Sequence, residues 1–425
     1  MNNLSNVKYI KYQIVAFLFC FILVIFRLLN VSVYDTSRAR ADLNGDGYSD
    51  INTISSAKYF NDSGFINTAF LPVHDYYPEL KQTNAYTHYP AIPNVFCGFY
   101  TYIFNSYKEP LLRIIPALLS ILFFFFIFKV IKTITQSNIA ALCGGLVLVL
   151  ANYYIAWADN LHQHLYGEFL KWIYFYLLYN YYIKNKSWTY FIPMLLIMVL
   201  EVNISFEQPV FLGILTLGFS IIFRKKVFSF ETISAASFVI IGFGLHILQN
   251  TVYFNSLPMA IDDMKSAFML RTAGVELTVQ KSEAEFGIKT IFEIPFNWFN
   301  RMERFYLFPG WAILIIGIIA LKDLRKTNKE LYQIIWAVFF ASIGWSILMA
   351  QHGYVHSFTN KHFSIFYALL SAISIPVFYE NFKNSITQKN KRNIAFYTLL
   401  SLYALVMFIT QQAIPYYYQY SIGYK

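Results

Sequence analysis

The chain consists of long apolar runs separated by short polar connections. The run from Leu118 to Phe126 is apolar at nearly every position and lacks the two-residue alternation of a membrane β-barrel strand. About 20 apolar residues in a helix cross the ~30 Å hydrocarbon core of a bilayer, so the pattern predicts an all-α polytopic membrane protein with roughly eleven transmembrane helices. The predicted spans are 14–33, 111–131, 138–156, 169–183, 188–202, 208–223, 229–249, 309–321, 331–350, 363–380 and 394–414.

Charged side chains indicate which way these helices run. Apolar residues make up 57% of the chain and charged residues only 13%, which excludes an ordinary soluble domain. Lysine and arginine cluster in alternate connections, and such connections face the cytoplasm. This topology explains the net charge of +10 without a nucleic-acid partner. The basic connections contain Lys11, Lys132, Lys184, Arg224, Arg325 and Arg392.

The topology divides the chain into membrane segments and outer segments. The first span is long and no small-x-small cleavage site follows it, so we interpret it as an uncleaved anchor. Cys20 and Cys143 fall in predicted spans and only Cys97 lies near the outer face, so no disulfide framework is expected. The predicted segments are a cytoplasmic N-terminus (1–13), the first transmembrane anchor (14–33), an outer loop (34–110), helices 2–7 (111–249), a second outer loop (250–308), helices 8–11 (309–414) and an outer tail (415–425).

Most histidines and clustered carboxylates fall in the connections that this topology places outside. The predicted spans carry few ionisable residues: Arg27, Lys171 and Glu201 lie toward outer ends, and His246 stands in an apolar run. Ion-coupled transporters usually keep ionisable groups near the bilayer midplane, so the pattern argues against that class. We therefore expect any chemistry on the outer face. The outer connections are 34–110, 157–168, 201–208, 250–308 and 351–362.

An acidic turn lies shortly after the first span. Asp42-x-Asn44-x-Asp46-Gly47-x-x-Asp50 matches the start of an EF-hand calcium loop, but Thr53 stands where the loop needs a bidentate carboxylate. Three interpretations stay open: a calcium site, a turn rich in Asp, Asn and Gly, or acids with a catalytic role.

The residues after this turn follow a known order. A helical stretch (51–60) leads to a glycine turn (61–65), then to the segment Thr87-His88-Tyr89-Pro90-Ala91-Ile92-Pro93 and to Arg113 in the second span. This order resembles the GT-C class of membrane glycosyltransferases, such as protein mannosyltransferases and lipid A aminoarabinose transferases. Ala91 replaces the second proline of the family pattern. The resemblance implies a catalytic aspartate in the first outer loop, which is Asp46 or Asp50, and His88 and Tyr89 are candidates to bind the sugar or the acceptor.

The outer connection 157–168 contributes a second acidic site. Members of the GT-C class similarly carry an acid where the fourth helix begins, which implies Glu168 or, failing that, Asp159. His162 and His164 could join Glu168 as metal ligands. The alternative is a polar interfacial loop with belt aromatics.

Basic residues concentrate in the connection 351–362. Lys361, His356 and His362, together with Arg301 from the loop 250–308, are candidates to bind a lipid phosphate. The alternative is contact of these side chains with lipid headgroups. The loop 250–308 contains amphipathic pieces and is a candidate interfacial lid.

These expectations combine into one hypothesis of function. The resemblance implies an inverting transfer of a sugar from a polyprenyl-phosphate carrier, such as undecaprenyl phosphate, to an acceptor on the outer face. One carboxylate would deprotonate the acceptor hydroxyl. The expected setting is a bacterial inner membrane with the site facing the periplasm, and the first-choice acceptor is an O-antigen-type glycan, before protein. No cofactor is required, although a divalent cation is possible. Alternatives are an O-antigen polymerase or ligase, and a flippase or transporter.

Overall fold

The computed structural model describes residues 14, 17–19, 21–22, 25, 47–74, 76, 85–151, 154, 157–184, 187–273, 292–298, 310–385 and 388–409. Within these residues the named elements are all helices, and one isolated antiparallel bridge joins Val73 to Ala85. The helices are α1 (Gly47–Ser63), α2 (Ile92–Phe104), α3 (Glu109–Leu112), α4 (Ile114–Thr135), α5 (Asn138–Leu150), α6 (Gln163–Ile183), α7 (Trp188–Val202), α8 (Glu207–Arg224), α9 (Phe230–Phe254), α10 (Leu257–Ala273), α11 (Gly310–Thr327), α12 (Lys329–Leu348), α13 (Ala350–Val355), a 3₁₀ helix (Ser357–Phe363), α14 (Ser364–Ser385) and α15 (Lys389–Phe408).

The helices agree with the hydrophobic pattern, and the all-α prediction is confirmed. The predicted span 188–202 coincides with α7, and 208–223 differs from α8 by one residue at each end. Most of the first span lies outside the described residues. Among the described residues, four helices are long and apolar enough to cross a membrane, so the chain is an integral membrane protein, while the total of eleven spans stays a prediction. The four are Glu109–Thr135, Glu207–Arg224, Phe230–Phe254 and Lys329–Leu348.

Local sequence signals set the helix boundaries. The side chains of Ser137, Ser229 and Asn328 accept hydrogen bonds from backbone N–H groups at the starts of α5, α9 and α12, which satisfies donors that a helix start leaves free. The stretch 51–60 lies within α1 as expected, and Gly64 ends that helix with a φ of +85°, a conformation that glycine adopts without steric cost.

A small residue brings α5 and α14 into close contact. A Cβ atom on Gly144 of α5 would lie 2.4 Å from the backbone oxygen of Ala368 in α14. Helices in a bilayer associate through such close packing, because lipid supplies little hydrophobic drive between them. The interface of α5 with α14 therefore depends on a glycine at this position.

The loops predicted to lie outside contain more helix than hydropathy predicted. Helices α1 and α2 lie in the first loop, and α10 lies in the loop 250–308. Residues 292–298 are helical, as expected for an interfacial piece of that loop, and Tyr354 Oη donates to Glu293 Oε2 at 3.0 Å. The lid role of this loop stays a prediction.

Candidate functional site

Arg113, at the junction of α3 and α4, is the centre of a buried charged cluster that we call the arginine network. Its Nη2 lies 2.6 Å from Asp50 Oδ2 and 2.5 Å from Glu109 Oε1. Its Nη1 donates to the backbone oxygen of Asp159 at 3.1 Å and lies 3.4 Å from Asp159 Oδ1. All four side chains are buried, so one guanidinium serves three carboxylates away from bulk water.

Asp50 joins the first loop to the connection 157–168. It lies on the buried face of α1, and its Oδ1 accepts hydrogen bonds from Asn160 Nδ2 and from the backbone N–H of Leu161, both at 2.8 Å. Together with Arg113, these donors engage both carboxylate oxygens. Hydrogen bonds to the charged form stabilise it, so Asp50 is suited to hold the two connections together.

The surroundings of this network are apolar. Cys97 and Tyr100 of α2 lie in a hydrophobic cluster with Ala57 of α1. Burial raises the pKa of the Cys97 thiol, and it raises the pKa of the Tyr100 hydroxyl to about 12. Both groups therefore stay neutral at physiological pH.

A second buried cluster, the lysine network, lies where α6, α8 and α14 begin. Lys171 Nζ forms a close ion pair with Glu168 and donates to the backbone oxygen of Lys361 at 3.1 Å. Glu168 Oε2 accepts from Ser364 Oγ at 3.1 Å. Gln208 Nε2 lies 3.4 Å from Glu168 Oε1.

The connection 351–362 supplies the rest of the lysine network. Lys361 Nζ donates to His164 Nδ1 at 3.1 Å and lies 3.1 Å from Glu207 Oε2. The same glutamate oxygen accepts from His362 Nε2 at 3.1 Å. Desolvation lowers the pKa of the His362 imidazole, so the ring is neutral near pH 7 and donates through Nε2–H.

A chain of hydrogen bonds joins the two networks. Asp50 accepts from Asn160 Nδ2, and Asn160 Oδ1 accepts from the backbone N–H of His164 at 3.3 Å. The ring of His164 then accepts from Lys361. Asp50 of the first loop and the connection 351–362 thus belong to one chain of hydrogen-bonded residues.

The segment 87–89 of the first loop contacts the end of α9, helix α10 and Phe206. His246 Nε2 and Asn250 Nδ2 lie 3.0 and 3.1 Å from the backbone oxygen of Thr87. His88 Nε2 lies 2.6 Å from Asp263 Oδ1 of α10, and the Tyr89 ring packs against Phe206. The segment before α2 therefore connects the first loop with the loop 250–308.

The structure places the predicted site residues in different settings. Asp50, Asp159, Glu168, Lys361 and His362 are buried within the two networks. His356 is half-buried and stacks on Phe358. Asp46 and Arg301 lie outside the described residues.

No three metal-binding side chains among the described residues are arranged to hold an ion. His164 and Glu168, two of the three proposed metal ligands, have Lys361 and Lys171 as close neighbours instead. His164 and Glu168 line, with Trp157, a cavity of about 10 Å³. This volume is close to the space that one water needs. Residues 42–46 of the calcium-like turn lie outside the described part of the chain.

Sequence reasoning gave no site role to several residues of these networks. Glu109 and Glu207 were not singled out. Lys171 and Glu201 were noted only as ionisable residues near span ends. Glu201 is fully buried, and neither of its carboxylate oxygens has a hydrogen-bond partner among the residues that the structure describes. The available signal was a charged residue at the edge of an apolar run, which is expensive in a membrane and usually functional.

Comparison with solved structures identifies the fold as that of the GT-C glycosyltransferases, which confirms the resemblance at the level of the fold. Matching structures include several of the Archaeoglobus fulgidus oligosaccharyltransferase. Its apo form gives a TM-score of 0.53 at 13% identity, covering 97% of this chain and 56% of that chain. No family model and no curated protein sequence matches the chain.

Two further structures of the same archaeal enzyme agree. Oligosaccharyltransferase AglB in complex with an inhibitory peptide and a dolichol-phosphate gives a TM-score of 0.51 at 14% identity, covering 96% of this chain and 56% of that one. The complex with Zn and sulfate gives a TM-score of 0.51 at 14% identity, covering 95% of this chain and 52% of that one. The chain thus spans little more than half the length of these proteins.

Proposed function

We propose that the chain is a membrane glycosyltransferase that moves a sugar from a lipid-phosphate carrier to an acceptor on the outer face. The observation that carries the proposal is the meeting of the predicted outer connections in two linked, buried charged networks. The GT-C fold agrees with this proposal. A fold alone does not define a function, so the argument rests on the chemistry of the site. Burying charged side chains costs desolvation free energy unless each charge is paired, so such networks point to a functional role.

The proposed donor is a sugar on undecaprenyl phosphate in a bacterial inner membrane, with the site facing the periplasm. A matching archaeal structure contains a dolichol-phosphate, which is a lipid phosphate of the same chemical class. The proposed acceptor is a cell-envelope glycan of the O-antigen type. Protein is the second candidate, since another structure of the archaeal enzyme is tethered to an acceptor peptide.

The proposed reaction is a single displacement with inversion. A carboxylate removes the proton of the acceptor hydroxyl while the hydroxyl oxygen attacks the anomeric carbon. The lipid phosphate leaves with the bonding electrons. Asp50 is a weak choice for the base, because Arg113, Asn160 and Leu161 hold both of its oxygens. We therefore assign the base to Asp46, which directly precedes α1 in the sequence. Asp50 then positions the start of α1.

The other roles follow the expected chemistry. Basic groups of the connection 351–362, with Arg301, would bind the phosphate and stabilise its developing charge. His88 and Tyr89 are proposed to contact the sugar or acceptor from the segment that joins the two outer loops. The candidates for these roles are Lys361, His356, His362 and Arg301 for the phosphate, and Glu168 and Asp159 for the second acidic site.

Replacing Asp46 with asparagine should reduce the transfer rate at least ~100-fold, because a positioned base contributes about 10²–10⁴-fold. The melting temperature should stay close to wild type. Asp50→Asn should lower both the transfer rate and the melting temperature, since it weakens the bond to Arg113. The measurement is polyprenyl phosphate released by purified protein, beside thermal unfolding of each variant.

Asp62→Asn is the matched control, because Asp62 lies on the exposed end of the same helix. It should leave transfer unchanged. Full activity in Asp46→Asn would remove the base assignment, and full activity in Asp50→Asn as well would remove the role of the first loop.

A further inference from the structure

Lys361 and His362, which are proposed to bind the donor phosphate, contact a carboxylate of the chain itself, that of Glu207. Glu207 Oε2 lies 3.1 Å from both Lys361 Nζ and His362 Nε2. His352 is a third basic group that interacts electrostatically with Glu207. Lys361, His362 and Glu207 are at most 2% exposed. The connection 351–362 thus surrounds one carboxylate with its basic side chains.

This position has the chemistry of a phosphate site. Lysine ammonium and imidazole N–H groups bind carboxylate and phosphate oxygens alike. Glu207 is the first residue of α8, and the start of a helix favours negative charge. Two buried oxygens of the segment 205–207, Glu207 Oε1 and Ser205 Oγ, have no hydrogen-bond partner within the described part of the chain. A serine hydroxyl could donate to an anion with more oxygens than the carboxylate offers.

The segment that carries the basic groups is built from short elements. Lys361 and His362 lie in the 3₁₀ helix Ser357–Phe363, and His352 lies in α13, a helix of six residues. Both connect the long helices α12 and α14. Hydrogen bonds of 3₁₀ helices have poorer geometry than those of α-helices, so this connection can shift without breaking a membrane helix.

We propose that Glu207 occupies the phosphate position until the donor binds, and that the phosphoryl group of the lipid carrier displaces its carboxylate from Lys361 and His362. The nature of this ligand rests on the proposed function. The exchange keeps Lys361 paired with an anion at every stage, and the displaced Glu207 side chain takes up a proton, so that no buried charge is left alone. It also makes phosphate binding weak, because each binding event must break the Lys361–Glu207 pair.

The test is to remove the internal anion and supply an external one. Glu207→Gln should melt at a lower temperature than wild type, since Lys361 loses its counter-charge. Titration with inorganic phosphate at constant ionic strength should raise the melting temperature of this variant by about 2 °C or more, because a ligand that binds only the folded state stabilises it. Wild type should respond several-fold less.

Two controls define the site. Glu330→Gln removes an exposed glutamate at the start of α12 and should behave as wild type. The double variant Glu207→Gln with Lys361→Met should lose the response to phosphate. Farnesyl phosphate and farnesol, added in parallel, distinguish a lipid phosphate from free phosphate: a response to farnesyl phosphate above that to inorganic phosphate, with none to farnesol, identifies the lipid-linked source.

The proposal is wrong if neither phosphate raises the melting temperature of Glu207→Gln more than that of wild type. It is also wrong if the double variant shows the same rise as Glu207→Gln. Should Glu207→Gln not fold, Glu207→Asp decides in the same way, because its shorter side chain weakens the contacts with Lys361 and His362 but keeps the charge. These readouts need no transfer reaction. A protein that binds phosphate as expected but transfers no sugar would contradict the proposed function and leave this inference standing.

Discussion

Replacing Arg113 with methionine is expected to reduce the free energy of unfolding by about 3–5 kcal/mol, the usual effect of removing one partner from a buried ion pair. The reason is that Asp50, Glu109 and Asp159 would be left in an apolar setting without their shared cation. Methionine keeps an unbranched apolar stem but is shorter, so it removes the guanidinium with its charge and hydrogen bonds. The measurement is denaturant-induced unfolding of the purified protein in mixed micelles.

Arg325→Met is the matched control, because Arg325 is exposed near the end of α11. Its unfolding free energy should change by less than about 0.5 kcal/mol. Arg113→Lys should fall between wild type and Arg113→Met, since one ammonium keeps the charge but cannot reproduce the fork of the guanidinium. Equal stability of Arg113→Met and wild type would mean that the arginine network does not hold the first loop.

Replacing Gly144 with leucine is expected to cost about 3 kcal/mol or more of unfolding free energy, at the upper end of the effect of overpacking. A Cβ atom there would lie 2.4 Å from the Ala368 backbone oxygen and 3.0 Å from the Ala372 Cβ. Backbone cannot rotate away as a flexible side chain can, so α5 and α14 would have to separate. Because α14 follows directly on the 3₁₀ helix with Lys361, the transfer rate should fall too.

Gly244→Leu provides the control for side-chain size. Gly244 lies on the exposed side of α9, and no heavy atom of the described residues, apart from the nearby backbone of α9 itself, lies within 4 Å of a Cβ placed there. Glycine also weakens a helix interior. Leucine at this position should therefore leave stability unchanged or raise it slightly. Equal behaviour of the two leucine variants would contradict the close packing of α5 on α14.

Much of the fold follows from the apolar runs, because a helix in lipid must satisfy all its backbone groups internally. The run 188–202 gave the bounds of α7, and Ser187, which accepts from the Thr189 N–H, marks its start. Helix α2 was missed because Pro90 and Pro93 indicated a turn. Proline is in fact well tolerated in the first turn of a helix, where Pro93 lies.

The site was only partly predictable, since its partners lie far apart in the chain. Asp50 and Glu168 were found through their positions next to spans. Arg113, the partner of Asp50, lies 63 residues further along the chain within an apolar run, and Glu207, the partner of Lys361, lies at the start of another. Hydropathy shows that such charges are unusual but does not show which of them meet, because that depends on the packing of helices over more than 60 residues of chain.

The most direct test of the proposed transfer follows the donor lipid itself. Purified protein in proteoliposomes is given a radiolabelled sugar on polyprenyl phosphate, together with extracts of envelope glycan as acceptor. Glycosyl transfer predicts release of free polyprenyl phosphate and labelled product at equal rates, with both lost in Asp46→Asn. Movement of intact donor lipid across the bilayer, with no polyprenyl phosphate released, would contradict the account and indicate a transporter.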